Sequence, residues 1–145
     1  MDGWYYLHTN GELIFKRDLE GTAADIRESD FAVGMWPVDH TDRETAWTIL
    51  VEGLAAGARG DQVMDLARKW NCTDGDGKIY ARRIGAALTF REVGPHGAEW
   101  VATPKGQESP AGAGFNVIYA LCSLAKVLGY KPSKTWGATF KDLLR

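Results

Sequence analysis

Histidine is scarce in this chain, at positions 8, 40 and 96 only, and cysteine is scarcer, at 72 and 122. No two of these residues stand at the short spacing that paired zinc ligands need. No histidine lies near a cysteine, and both the Gly-x-Ser-x-Gly elbow and the phosphate-loop pattern are missing, so nucleophilic and phosphoryl-transfer chemistry has no signature. His40 beside Asp39 and Asp42 could make a tuned acid–base pair, but the same residues serve as the solvated entry to a helix. We therefore expect no catalytic residue, no metal site and no cofactor. Two cysteines in different elements give no disulfide framework, and the N-terminus lacks the basic, apolar and small-residue order of a secretory signal; the expected compartment is a reducing cytoplasm. Long apolar runs are absent too. The longest, Phe115 to Leu128, is broken by Asn116, Ser123 and Lys126 and falls short of the roughly 20 residues a bilayer span requires, so no membrane partner is expected.

What is present suffices for a core. The 145 residues are 45% hydrophobic and 25% charged, with six Trp, five Tyr and five Phe, which suits one compact domain over residues 1–145 that buries roughly 70% of its unfolded surface. The net charge of −2 hides a split: residues 1–65 carry 5 Lys/Arg against 13 Asp/Glu, and residues 66–145 carry 12 against 6. Such a division can make one face repel nucleic acid and another attract it.

Local signals predict an α+β fold with an N-terminal β-hairpin, a three-helix, winged-helix-like unit, a second β-hairpin and a buried C-terminal helix. Asn10-Gly11 between β-formers predicts a two-residue hairpin turn with both residues at positive φ. Thr22 to Arg27 reads as a short helical turn, and the stretch through Phe31, Met35, Trp36 and Pro37 has no period, with Trp36-Pro37 extended. Thr41-Asp42-Arg43-Glu44 is a capping-box sequence that opens a helix over about 42–56. Asp61 caps a second helix with Val63, Leu66, Ala67 and Trp70 on one stripe, stopped by Asn71. Asp74 or Asp76 caps a third, with Ile79, Tyr80 and Ile84 inward and Lys78, Arg82 and Arg83 outward. Strands over about 87–93 and 99–103 flank a Gly94-Pro95-His96-Gly97 loop. Residues 104–114 read as a glycine- and proline-rich linker with a mobile tip. The helix over about 115–128 is apolar on most sides and so buried. A turn-rich connection from Tyr130 to Gly137 precedes a last helical turn that docks Phe140, Leu143 and Leu144 on the core.

Three motifs invite functional readings. Thr73-Asp74-Gly75-Asp76-Gly77-Lys78-Ile79 has the look of a calcium loop, but with Asp74 and Asp76 as third and fifth ligands the first position becomes Cys72 and the twelfth Arg83; helix capping explains the acids better. Helix, turn, helix and strand–loop–strand follow the order of a winged helix-turn-helix, whose third helix enters the major groove while the hairpin touches phosphate. Lys78, Arg82, Arg83 and Arg91 are then the candidate nucleic-acid contacts, with His96 at the loop tip. Asp74 and Asp76 stand against it, where base-reading side chains belong. The acids Asp18, Glu20, Asp25, Glu28 and Asp30, continued by Asp39, Asp42 and Glu44, could imitate a phosphate backbone and occupy the groove of a host defence protein.

Trp4 to Leu7 with Asn10-Gly11 resembles a single choline-binding repeat, but the cages of that family need neighbouring copies. Trp4 to Ile14, Asp25 to Phe31 and Gly129 to Phe140 together resemble a family of small uncharacterised proteins encoded by tailed phages and prophages, nearly end to end. Trp100-Val101-Ala102-Thr103, a loop and a helix resemble the strand-then-helix half of HicB-type antitoxins, without the acidic and alanine residues usual at that helix start. The phage resemblance implies a genomic setting, in the cytoplasm of a bacterial host, and no site. The expected function is that of a non-enzymatic accessory protein acting on a protein partner, through the acidic residues 18–30 or through Lys131, Lys134 and Trp136. A winged-helix DNA-binding protein and an acidic nucleic-acid mimic are the alternatives. Nothing in the sequence sets an oligomeric state.

Overall fold

The computed structural model describes residues 3–17, 32–38, 43–92, 94–95 and 97–128. The α+β class and the expected order of elements hold. Contacts gather into two compact units that part between Trp70 and Asn71. The expected turn at 22–27, Thr41 and Asp42 of the first helix cap, and the connection and tail after Leu128 lie outside the described residues.

In the first unit, β1 (Gly3–His8) and β2 (Leu13–Arg17) form the aromatic hairpin, and β3 (Ala32–Val38) joins the other side of β1, giving the antiparallel order β2-β1-β3. The turn differs from expectation. Gly11 N–H donates to the His8 carbonyl and His8 N–H donates to the Glu12 carbonyl, a three-residue loop in which Gly11 alone takes positive φ, at 86°. Asn10 keeps negative φ and its Oδ1 accepts the Glu12 N–H at 2.8 Å, so its role is an Asx turn. The third strand was not apparent in the sequence, where this stretch lacks a period. Trp4 pairs with Lys16 on one side and with Pro37 on the other. By the alternation of an antiparallel ladder, the N–H that proline lacks falls on the outer edge, where a proline is tolerated.

Helices α1 (Arg43–Ala55) and α2 (Gly60–Lys69) complete this unit. Trp36 Nε1 donates to Glu52 Oε2 at 2.8 Å, tying β3 to α1, whose Trp47, Ile49, Leu50 and Val51 are buried. Asp61 is not the cap of α2. Arg59 holds that position without a side-chain bond, and Asp61 sits in the first turn, 3.7 Å from the Arg59 guanidinium. Arg59 N–H donates to the Gly11 carbonyl at 2.9 Å, and the Gln62 amide both accepts from Leu13 N–H at 2.8 Å and donates to the Leu13 carbonyl at 3.3 Å. Asn71, at φ 52°, ends the segment as expected.

The second unit runs α3 (Asp74–Arg83), β4 (Ala86–Glu92), β5 (Ala98–Pro104), β6 (Gly112–Gly114) and α4 (Val117–Val127), with sheet order β4-β5-β6. Thr73, not an aspartate, caps α3: its hydroxyl accepts the Asp76 N–H and the Asp76 carboxylate accepts the Thr73 N–H, each at 3.1 Å. The stretch that resembled a calcium loop is thus a capped helix start. The expected linker contains β6, and Ala111 N–H donates to the Ala102 carbonyl just before it. The rows Leu88–Ala102–Gly112 and Phe90–Trp100–Gly114 cross the sheet on one face. Both helices lie on that face: α4 meets the two glycines, and the Lys78 ammonium of α3 stands over Trp100. Ile118, Leu121 and Leu124 of α4 are buried, each stabilising by about 1.5–3 kcal/mol relative to exposure.

Candidate functional site

Among the described residues the exposed large apolar side chains all belong to this second unit. The third helix was expected to turn Ile79, Tyr80 and Ile84 inward; Tyr80 is buried as expected, with Ala81 beside it, but Ile79 and Ile84 are 52% and 37% exposed. Phe90, late in β4, is 59% exposed and meets its register partner Trp100 edge-on, with ring centroids 5.4 Å apart. Trp100 is flanked on its other side by Gly114. An ideal Cβ on Gly114 would stand 2.7 Å from the Tyr119 Cβ, so the missing side chain is what brings Tyr119 beside the sheet. The Tyr119 ring then lies 4.6 Å from that of Phe115, which is 73% exposed. The ring pairs Phe90–Trp100 and Tyr119–Phe115, with Gly114 between them, make an aromatic strip from one edge of the sheet to the start of α4. That helix start is fixed by Asn116, whose Oδ1 accepts the Tyr119 N–H at 2.9 Å.

Three of the four candidate nucleic-acid contacts are engaged within the unit. Lys78 Nζ sits 5.6 Å from the Trp100 ring centroid. The Arg83 guanidinium lies 5.7 Å from the Tyr80 ring. Arg91 donates from Nε and Nη2 to Glu99 Oε1 at 3.0 and 2.7 Å, across the strand pair. Arg82, exposed in the last turn of α3, has no such contact among the described residues. The structure brings Lys78 to the aromatic strip and does not gather the four cations into one patch. The other candidates, Asp18, Glu20, Asp25, Glu28, Asp30, Lys131, Lys134 and Trp136, lie outside the described residues, as do Asp39, His40, Asp42 and His96.

Among the described residues no group of three or more His, Cys, Asp or Glu could hold a metal ion, and no helix is long and apolar enough to cross a membrane. Cys122 is buried on α4, and burial pushes its thiol pKa up, partly offset by the nearby Lys126 ammonium. A raised value keeps the sulfur protonated and poorly nucleophilic. The aromatic strip was missed from sequence because Phe90 and Trp100 lie in segments that read only as strands, with nothing to show which face is covered. The signal that could have found it is the register: the Gly94–Gly97 loop places the two rings opposite one another, and the two glycines of β6 open the face beside them. Compared with protein-family models, curated proteins and solved structures, the chain matches none.

Proposed function

We propose that the protein acts by contact and not by catalysis, as a non-enzymatic accessory protein of a phage or prophage that takes a protein partner on the aromatic strip of its second unit. The observation that carries this reading is the 73% and 59% exposure of Phe115 and Phe90 at the two ends of a strip continued by Trp100 and Tyr119. Exposed contiguous apolar surface marks interaction sites, and aromatic anchors dominate protein–protein binding energy. The one cation at the strip, Lys78, is turned onto the Trp100 ring, while Arg83 and Arg91 are held by Tyr80 and Glu99 elsewhere in the unit, which supports a protein partner over a phosphate backbone. The resemblance to tailed-phage proteins supports the setting, the cytoplasm of a bacterial host.

The test is a tagged-protein capture from host lysate at low salt, compared between the native chain and the double variant Phe90→Glu, Phe115→Glu. Both positions are exposed, so the variant is expected to fold with an unchanged circular dichroism spectrum. A partner held in stoichiometric amount by the native chain and reduced at least tenfold by the variant is the expected outcome. Equal recovery by both, or no partner at all together with turnover of a small substrate, counts against the reading. For the DNA-binding alternative, Arg82 is the cation that favours it. A DNA mobility shift at about 50 mM salt, lost on Arg82→Ala and falling steeply with added salt, would replace a protein partner with a nucleic acid.

A further inference from the structure

The first unit contains a groove of about 240 Å³ between its sheet and α2, walled by Tyr5 and Phe15 on one side and by Asp65, Leu66 and Lys69 on the other. Its volume is below the roughly 300 Å³ at which pockets for whole small-molecule ligands begin, and it suits a single apolar side chain. The Tyr5 and Phe15 rings, 5.2 Å apart, form its aromatic wall. α2 runs alongside β2: Gln62 is level with Leu13 and Lys69 is level with Phe15, its ammonium 5.8 Å from the ring centroid. The carboxylate of Asp65 is bonded to Arg68, which leaves Lys69 as the charge that faces an occupant of the aromatic end.

The neighbouring strand edge is already used once. Among the described residues β2 is an outer strand, and the Gln62 side-chain amide fills its first ladder position by accepting from the Leu13 N–H and donating to the Leu13 carbonyl. In an antiparallel pair the outward-facing residues alternate with those bonded to the partner. Leu13 faces outward, so the N–H and carbonyl of Phe15, two residues on, face outward as well, and no described residue bonds to them. We propose that this edge and groove take an extended segment of a partner protein by strand addition, with one apolar side chain seated on the Tyr5–Phe15 rings and a carboxylate beside Lys69. Main-chain bonds to an exposed edge supply affinity in this mode, and pockets for alternate side chains supply specificity. The site is separate from the aromatic strip and stands or falls independently of it.

The probe is the capped pentapeptide Thr-Val-Phe-Asp-Thr, titrated into the full, isotopically labelled chain and followed by amide chemical shifts and amide exchange. Saturable binding is expected, with slowed exchange at Phe15. Two forms N-methylated at alternate peptide bonds, one in each phase, discriminate the mode, because only one phase turns its N–H groups to the edge; that form is expected to bind at least tenfold more weakly and the other about equally. Replacing the peptide aspartate by lysine is expected to weaken binding about fivefold in the native chain and to strengthen it in Lys69→Glu, an exposed position. Phe90→Glu with Phe115→Glu leaves all of this unchanged. No saturation up to about 1 mM, a regime weaker than about 4 kcal/mol, overturns the proposal. Equal loss or equal retention by both methylated phases, or shifts that bypass Phe15, overturns it too. So does protection of Phe15 that grows with protein concentration alone, since the edge then pairs with a second copy.

Discussion

An ideal Cβ placed on Gly112 would stand 2.4 Å from the Leu124 amide nitrogen and 2.6 Å from the Ala120 carbonyl oxygen; on Gly114 it would stand 2.5 Å from the Ala120 nitrogen. These are backbone atoms of α4, so the helix would have to move as a body. Gly114→Ala is expected to destabilise the second unit by about 2–3 kcal/mol, at the upper end of overpacking costs, read as a fall in the urea midpoint. Gly75→Ala is the matched control. There the new methyl would meet only the Thr73 hydroxyl at 3.7 Å, and the lower backbone entropy of the unfolded chain should raise stability by a few tenths to about 1 kcal/mol. Thr73→Ala removes the reciprocal cap of α3 and should cost about 1 kcal/mol. At this scale the sequence was partly legible. Two acids near the start of α3 drew attention away from Thr73, although Thr73 and Asp76 stand at capping-box spacing with Asp in place of the usual Glu.

Among elements, the hairpins and helices were readable because each carries its own period or punctuation, while β3 and β6 were not. The covered face of β3 presents Gly34 and Trp36, and a glycine contributes nothing to an alternating apolar pattern. β6 reads as linker because both of its face residues are glycines, chosen for close approach of a helix and not for flexibility. The exposure of Ile79 and Ile84 was illegible for a related reason: helical spacing identifies a stripe only when one stripe is apolar, and α3 has two short ones. The tie between α2 and β2 gives an element-level prediction. Gln62→Ala should leave the Leu13 N–H without its partner and speed its amide exchange about tenfold, equivalent to about 1.4 kcal/mol of local opening. Exchange at Tyr5, on the central strand β1 and two residues further from the turn, should change less; an equal change at both would mean that the whole hairpin opens as one piece.

For the molecule as a whole, division into two units predicts that a perturbation in one is reported there first. Cys122 provides the handle. Burial raises its thiol pKa in the folded state, so the folded form holds its proton at pH values where the unfolded chain has released it. The Cys122 contribution to the second unit's stability should therefore be flat below about pH 8.5, the ordinary thiol range, and fall as the pH rises above it. Cys122→Ala should remove that alkaline slope while lowering stability at every pH through the lost methylene-sized volume. Urea midpoints at neutral pH and near pH 10 check both parts; a slope that persists in the variant assigns it to another group. The candidate site was the least legible feature at this scale, since the strip exists only when residues 90, 100, 115 and 119 are brought together from three elements.

The glycine pair under α4 also bears on inheritance. Every residue that can replace glycine is bulkier, so an amino-acid change at position 112 or 114 runs in one direction only, toward collision with the helix. Lineages that keep this sheet should keep both glycines, whereas the exposed Phe90 and Phe115 are not held in place by the core and are free to vary as far as the fold is concerned. A saturation library sorted for soluble expression would therefore be nearly blank in two columns and crowded in the other two, separating what the fold requires from what its use requires.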